Sequence, residues 1–273
     1  MPRASTIRTL ADITEDQWGV FTRKQAEATG MAWSTLARMA KDGVAERVAH
    51  GVYRLRGNAR ESNLDVCAAW MQLAPKTMVW ERAPEQGVLC RWSAAAAYGL
   101  SHAASGIHQF TFPDRRQSRR RDVKLYKASL GDGEVARIGG LMVTTPARMV
   151  ADLLGDGEDL LTVARIAADA LCEAKTSRPD MAVAIAPHAA RIGFAAHDGL
   201  SLLDWLLGHT TALQETSAVA ASQLTEVPDG QQFLRVNEHE RSADETDGTT
   251  VRLTTVMRQA RSRRGARISL SER

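Results

Sequence analysis

What the chain lacks narrows it first. Across 273 residues no apolar run approaches the roughly 18 needed to cross a bilayer, and the longest, 66–71 and 94–100, are short. No membrane attachment is expected. Ile7 and Leu10 lead straight into acidic residues with no apolar signal core, so export is not expected and a cytoplasmic location is. Cysteine is scarce: Cys67, Cys90 and Cys172 are odd in number and widely spaced, which suits a reducing compartment. Their flanks read as buried small hydrophobes rather than metal ligands. Catalytic signatures are missing as well. Gly131-Asp132-Gly133 lacks the flanking glycines and following lysine of a phosphate loop. There is no Gly-x-Ser-x-Gly elbow, no His-Glu-x-x-His and no Cys-x-x-Cys. His102 and His108 near Asp114 are weak grounds for a metal site, and Arg148 with Asp152 and Asp156 suits a structural pairing. Neither catalysis nor a metal or cofactor is expected.

What is present is enough for more than one core. Hydrophobic residues make up 44% of the chain and charged ones 25%, which excludes wholesale disorder. At about 100–200 residues per domain, two domains and a tail are expected. The net charge of +3 conceals blocks: +4 over residues 1–60, +5 over 114–127, −6 over 128–225, −5 over 226–248 and +6 over 249–273. A polyanion therefore meets three separate basic stretches. The six tryptophans read mainly as core or interface residues.

Residues up to about 56 read as a helical unit ending in a hairpin. Ile7, Leu10 and Ile13 suggest a first helix. Thr22 and Gln25 have capping-box spacing, which places a short helix over 22–29 with Gly30 as its stop. A second helix is expected over 33–42, with Leu36, Met39 and Ala40 as its buried stripe and Gly43 as its end. Residues 46–49 and 52–55 then pair as strands across His50-Gly51. Further on, helices are expected at 63–72, 93–98, 145–154, 160–174, 181–192 and 200–207. Strands are expected at 107–112, 123–126 and 139–143, and a strand at 249–256 fits its alternation. The stretch 79–89 is ambiguous, with Pro84 and Gly87 marking a loop. The fold class is α+β.

Helix, glycine stop, second helix and strand–turn–strand over 21–56 is the layout of a winged helix-turn-helix, in which the second helix enters the major groove and the hairpin touches the backbone. Trp33, Ser34, Thr35, Arg38 and Lys41 fall on its outer face. Ser34, Thr35 and Arg38 are placed to reach base edges, Arg38 by bidentate pairing with guanine. Arg23, Lys24 and Lys41 suit phosphates, and Arg47, His50 and Arg54 belong to the wing. The competing view is a small helical domain with a solvated charged face. Arg115, Arg116, Arg119, Arg120 and Arg121 fall in a loop between strands, which either holds a nucleic-acid backbone or an acidic partner, or is simply solvated. The tail cluster Arg258, Arg261, Arg263, Arg264 and Arg267 lacks interleaved aromatics, so it suggests non-specific phosphate attraction or folding back onto 226–248.

Several segments together carry a family likeness. Residues 19–26, Gly30, Leu36, Gly43 and Arg47 to Leu55 resemble the N-terminal winged helix of the AbiEi family, the antitoxins of type IV toxin–antitoxin systems linked to phage abortive infection. The alanine-rich Ser93 to Leu100, the strand Ile107 to Pro113, and Gly140, Val143, Thr144, Pro146, Arg148, Asp152 and Leu153 resemble that family's second domain. The resemblance covers about residues 19–207. It implies a winged helix over 1–60, an antitoxin domain over 61–208 and an extension over 209–273. It also implies a repressor that binds repeats in its own promoter, as a monomer or weak dimer cooperative on DNA, and counteracts a nucleotidyltransferase toxin. The Arg115 to Arg121 loop would serve antitoxicity or contact DNA beyond the wing.

Ala32 stands where relatives place Ser or Thr as cap of the reading helix, a loss of about 1 kcal/mol unless water or Ser34 substitutes. Met149 replaces a threonine of the signature, 73–92 is long and tryptophan-rich, and nothing after Gly208 has a counterpart. The alternatives are a regulator without a toxin, or a scaffold or remnant nuclease. The last is weakened because no lysine follows Lys175.

Overall fold

The computed structural model describes residues 4–57, 63–100 and 106–210, all within one compact unit, Met1–Thr225. His102, the expected strand at 249–256 and the tail arginines lie outside the described residues. The fold is α+β: helices around a small antiparallel sheet at the N-terminus, then a larger mixed sheet backed by helices.

Helix α1 (Ala4–Glu15) turns Leu10 and Ile13 inward and leads through a turn into β1 (Val20–Thr22). This strand is not expected from the sequence, because three consecutively buried residues show no alternation. Helices α2 (Arg23–Ala28) and α3 (Trp33–Lys41) and strands β2 (Ala45–Ala49) and β3 (Val52–Leu55) follow as predicted. The strands form an antiparallel sheet in the order β1-β3-β2. Thr22 both ends β1 and caps α2: its hydroxyl accepts from Gln25 N at 3.1 Å while Gln25 Oε1 accepts from Thr22 N at 2.8 Å. Gly51 supplies the φ of +71° that the wing turn requires.

One face of this sheet packs with α1–α3 around Leu10, Phe21, Ala26, Leu36, Met39 and Tyr53. Phe21 and Tyr53 are register partners whose rings stack 6.0 Å apart. Ala40 is only half-buried, at the rim of the stripe expected to include it. The other face is covered by α4 (Leu64–Leu73), through Leu64, Ala68 and Met71 against Val20 and Val52. The helix that completes the wing's burial therefore lies beyond residue 60.

The second sheet has the order β6-β5-β4-β8-β7, from β4 (Val88–Leu89), β5 (His108–Phe112), β6 (Val123–Lys127), β7 (Val135–Ile138) and β8 (Leu141–Thr144). Strand β4 falls in the stretch whose pattern is ambiguous, and β7 is another strand the sequence did not announce. Gly139-Gly140, expected to open a strand, is instead the two-residue turn between β7 and β8, with φ of +52° and +90°. Only glycine fits at 140: a Cβ there would meet the Trp18 ring at 3.1 Å. Trp18 donates from Nε1 to Gly139 O at 2.6 Å and sets its ring edge-on to Trp70, so this turn also anchors the N-terminal unit.

Helices α5 (Arg91–Ala97), α6 (Pro146–Asp156), α7 (Leu160–Cys172), α8 (Arg178–Ile185), α9 (Ala189–Ile192) and α10, over residues 199–210, complete the core with Met149, Leu153 and Leu203 wholly buried. The helix expected over 181–192 begins earlier, at Ser177, whose hydroxyl caps it, and breaks into two because Pro187 cannot donate. Cys67 and Cys90 are buried as expected, but Cys172, at the end of α7, is exposed. No helix among the described residues is long and apolar enough to cross a membrane.

The signature residues of α6 are tied into ion pairs. Arg148 donates from Nε to Asp152 at 2.9 Å and from Nη1 to Glu134 at 2.8 Å. Arg91 grips Asp156 at 2.6 and 3.2 Å and lies 3.9 Å from Asp152. The long stretch after Leu73 has an organising residue in Arg82. Its guanidinium is buried, stacks 4.3 Å from the centre of the Trp70 ring and donates to Trp70 O, Met71 O and Ala74 O, capping the C-terminus of α4.

Candidate nucleic-acid interface

Helix α3 presents two opposed faces. Leu36 and Met39 are buried, while Ser34, Arg38 and Lys41, spaced by four and three residues, form an exposed stripe on the other side. Trp33 and Thr35 flank that stripe; Trp33 is 45% exposed and Thr35 half-buried. Among the described residues neither Arg38 nor Lys41 has an ion-pair partner, so both charges are open to a ligand. The expected missing cap is real. Ala32 is extended (φ −68°, ψ 146°) with no side-chain bond to the first turn, and its carbonyl alone receives Thr35 N at 3.0 Å and Leu36 N at 3.2 Å. Ser34 does not supply a capping bond among the described contacts.

The expected backbone cations are placed differently from the readers. Arg23 and Lys24, the first two residues of α2, both reach Glu27, at 2.6 and 3.0 Å. The Arg23 guanidinium also lies 4.3 Å from the centre of the Trp33 ring, a cation–π contact that ties α2 to the start of α3. In the wing, Arg47 Nη2 is 2.9 Å from His50 Nδ1. The turn itself is braced, because His50 O accepts from Gln72 Nε2 of α4 at 2.6 Å and Gly51 O from Arg23 N at 2.8 Å. Arg54 is the least available member: its side chain is 15% exposed and engages Glu46 at 2.6 Å. The structure thus gathers Trp33, Ser34, Arg38 and Lys41 on one surface of one helix, and keeps Arg54 mostly within the unit.

The arginine-rich loop joins β5 to β6, and these two strands are parallel. The chain must therefore return along the sheet over 113–122 before β6 begins, and it does so without a helix. Arg115, Arg116, Arg119 and Arg121 are exposed. Arg120 is half-buried and paired with Asp122, whose carboxyl that guanidinium holds below the ordinary carboxylate range. Arg116 stacks 4.4 Å from the Phe112 ring centre and donates to Glu85 O at 3.3 Å. Between this loop and edge strand β6 runs an open groove of about 650 Å³ flanked by Arg115, Arg116, Lys124 and Lys127. Lys124 and Lys127 were not singled out from the sequence, where their place in the +5 block over 114–127 was the available signal.

Among the described residues no group of three or more His, Cys, Asp or Glu side chains is placed to hold a metal ion. Residues 8–56 match the family model described as a transcriptional regulator, AbiEi antitoxin. The match spans α1 through β3 and so covers the whole surface formed by α2, α3 and the wing. No curated protein matches the chain.

Proposed function

We propose that this protein, whose residues 8–56 match the family model of AbiEi antitoxin transcriptional regulators, represses its own promoter through α3 and counteracts a nucleotidyltransferase toxin through the residues beyond the wing. It acts by binding rather than by catalysis. The observation that carries the DNA half is the exposed stripe Ser34–Arg38–Lys41, whose charges have no ion-pair partner among the described residues, opposite the buried Leu36 and Met39. A helix built this way lays its polar edge in a major groove, with Arg38 pairing to guanine and Ser34 and Thr35 to neighbouring base edges. Trp33 offers its exposed face to a thymine methyl or sugar. Arg23, Lys24, Arg47 and His50 hold phosphates on either side, and Arg54 steadies the wing through Glu46. The protein binds repeats as two cooperating copies.

The second basic surface, Arg115, Arg116, Arg119, Arg120 and Arg121 with Lys124 and Lys127, is assigned to the antitoxin half or to DNA flanking the repeat. Its distance along the chain from α3 makes the two tasks separable by mutation.

The test has two arms. In a mobility-shift titration at about 150 mM salt, where non-specific attraction is screened, the protein should favour its own upstream region over a scrambled duplex by about tenfold or more. In co-expression, the full chain should restore growth against a nucleotidyltransferase toxin encoded beside it, and neutralising the 115–121 arginines should weaken rescue while α3 variants should not. Equal affinity for both duplexes would remove the regulator reading, and growth arrest despite the full chain would remove the antitoxin half.

A further inference from the structure

Three charged side chains of α2 form one unit. Glu27 Oε1 takes Arg23 Nε at 2.6 Å and Glu27 Oε2 takes Lys24 Nζ at 3.0 Å, so a single carboxylate serves two cations. The cations lie outside it: the Arg23 and Lys24 side chains are 44% and 49% exposed, and that of Glu27 is 30% exposed. Two divergent oxygens satisfied by one guanidinium edge and one ammonium is the arrangement in which a DNA phosphate would receive the same pair. Arg23 cannot swing freely away, because its guanidinium is held against the Trp33 ring. Lys24 and Arg23, in that order of effect, hold the Glu27 carboxyl below the ordinary carboxylate range, so the charge stays on at neutral pH.

We infer that Glu27 is an internal counterion that occupies the place of a DNA phosphate and lowers binding to DNA of any sequence. The inference rests on the DNA-binding reading above and assigns control of overall affinity to a residue that touches no base. Backbone attraction is sequence-independent and grows with the number of phosphates neutralised, at a log–log salt slope of about −0.9 for each. A carboxylate already seated between two cations must be displaced, or stay and repel the phosphate; in either case the generic contribution shrinks. The base contacts of Arg38 and Ser34 are unaffected. Repeat and scrambled duplexes are weakened alike, because Arg23 and Lys24 serve phosphates in both complexes. A helical ion pair three and four residues apart also steadies α2, but losing that support alone would not raise affinity for DNA.

The full chain carrying Glu27→Gln keeps the shape and the hydrogen-bonding oxygen and loses the charge. Against the upstream region and a scrambled duplex alike its affinity should rise about threefold to tenfold, and its salt slope should steepen by about one to two phosphates' worth, with preference between the two kept. Glu173→Gln, the same charge change at an exposed pair with Lys175, should move neither quantity. Three results would overturn the inference: no change with Glu27→Gln, an equal change with Glu173→Gln, or weaker binding to both duplexes, which would make Glu27 a support that positions its cations. Circular dichroism and thermal melts of both variants verify the fold. Wild-type protein that prefers its upstream DNA while Glu27→Gln matches it defeats this inference alone; wild-type protein that binds no duplex defeats the regulator reading and this inference together.

Discussion

The side-chain amides of Gln17 and Gln25 pair with each other in both directions, Nε2 of Gln17 to Oε1 of Gln25 at 3.2 Å and Nε2 of Gln25 to Oε1 of Gln17 at 3.0 Å, with both residues wholly buried. Their remaining capacity is spent on backbone. Gln17 donates to Val20 O at 3.3 Å and accepts from Val79 N at 3.1 Å. Gln25 accepts from Thr22 N and donates to Thr77 O at 3.2 Å. Thr22, the cap of α2, also donates to Pro75 O. The capping box that starts α2 is thereby fastened to the stretch after α4, and the candidate DNA surface cannot shift without breaking a fully satisfied polar cluster.

Gln25→Leu should be costly. It leaves Thr22 N, Thr77 O and half of the Gln17 amide without partners, and a buried polar group left unmade costs about 1–3 kcal/mol. Urea unfolding of the full chain should show a loss of about 3 kcal/mol, within the range of such lesions. The double variant Gln17→Leu/Gln25→Leu should lose less than the sum of the two singles, by about 1 kcal/mol or more. Strict additivity would mean that the pair does not couple.

The uncapped start of α3 offers a gain. Ala32 already has the extended backbone of a cap residue, so Ala32→Ser needs no rearrangement to accept from the first-turn amides. Stability should rise by about 1 kcal/mol, seen as a higher urea midpoint at unchanged slope. An unchanged midpoint would show that water already caps those amides as well as a hydroxyl would.

Much of this was legible in the sequence, for physical reasons that also mark where legibility stopped. Thr22 with Gln25 fixed the start of α2, and the spacing of Leu36 and Met39 separated the inner face of α3 from Ser34, Arg38 and Lys41, because caps and helical periodicity are local signals. Strands β1, β4 and β7 escaped: β1 and β4 are short and buried along their whole length, and β7 is four residues whose only announcement is the glycine turn after it. Pro187 splitting a helix was a local signal that periodicity masked. The contacts that hold the winged unit in place, Gln25 to Thr77 and Trp18 to Gly139, link residues 52 and 121 positions apart. No spacing rule reaches that far. Arg82 was silent for the same reason, since a lone arginine gives no hint that it will be buried among carbonyls.

The cysteines should report their surroundings. Burial pushes the Cys90 thiol up to about 12, outweighing the adjacent Arg91 guanidinium, and Cys67 is buried as well, whereas Cys172 is exposed. At pH 8 a thiol-specific disulfide reagent should therefore modify Cys172 rapidly and the other two only in denaturant. Fast reaction at Cys90 in the native protein would contradict the packing of α5.

The central claim is that α3 reads base sequence through Arg38, and the most direct measurement compares wild-type and Arg38→Ala affinities across a set of duplexes in which each position of the upstream repeat is varied in turn. The account predicts a loss of about 1–3 kcal/mol confined to one base pair, with discrimination flattened there, kept elsewhere, and little change on scrambled DNA. An equal loss on repeat and scrambled duplexes would make Arg38 a phosphate contact and contradict the assignment of α3 as the reader.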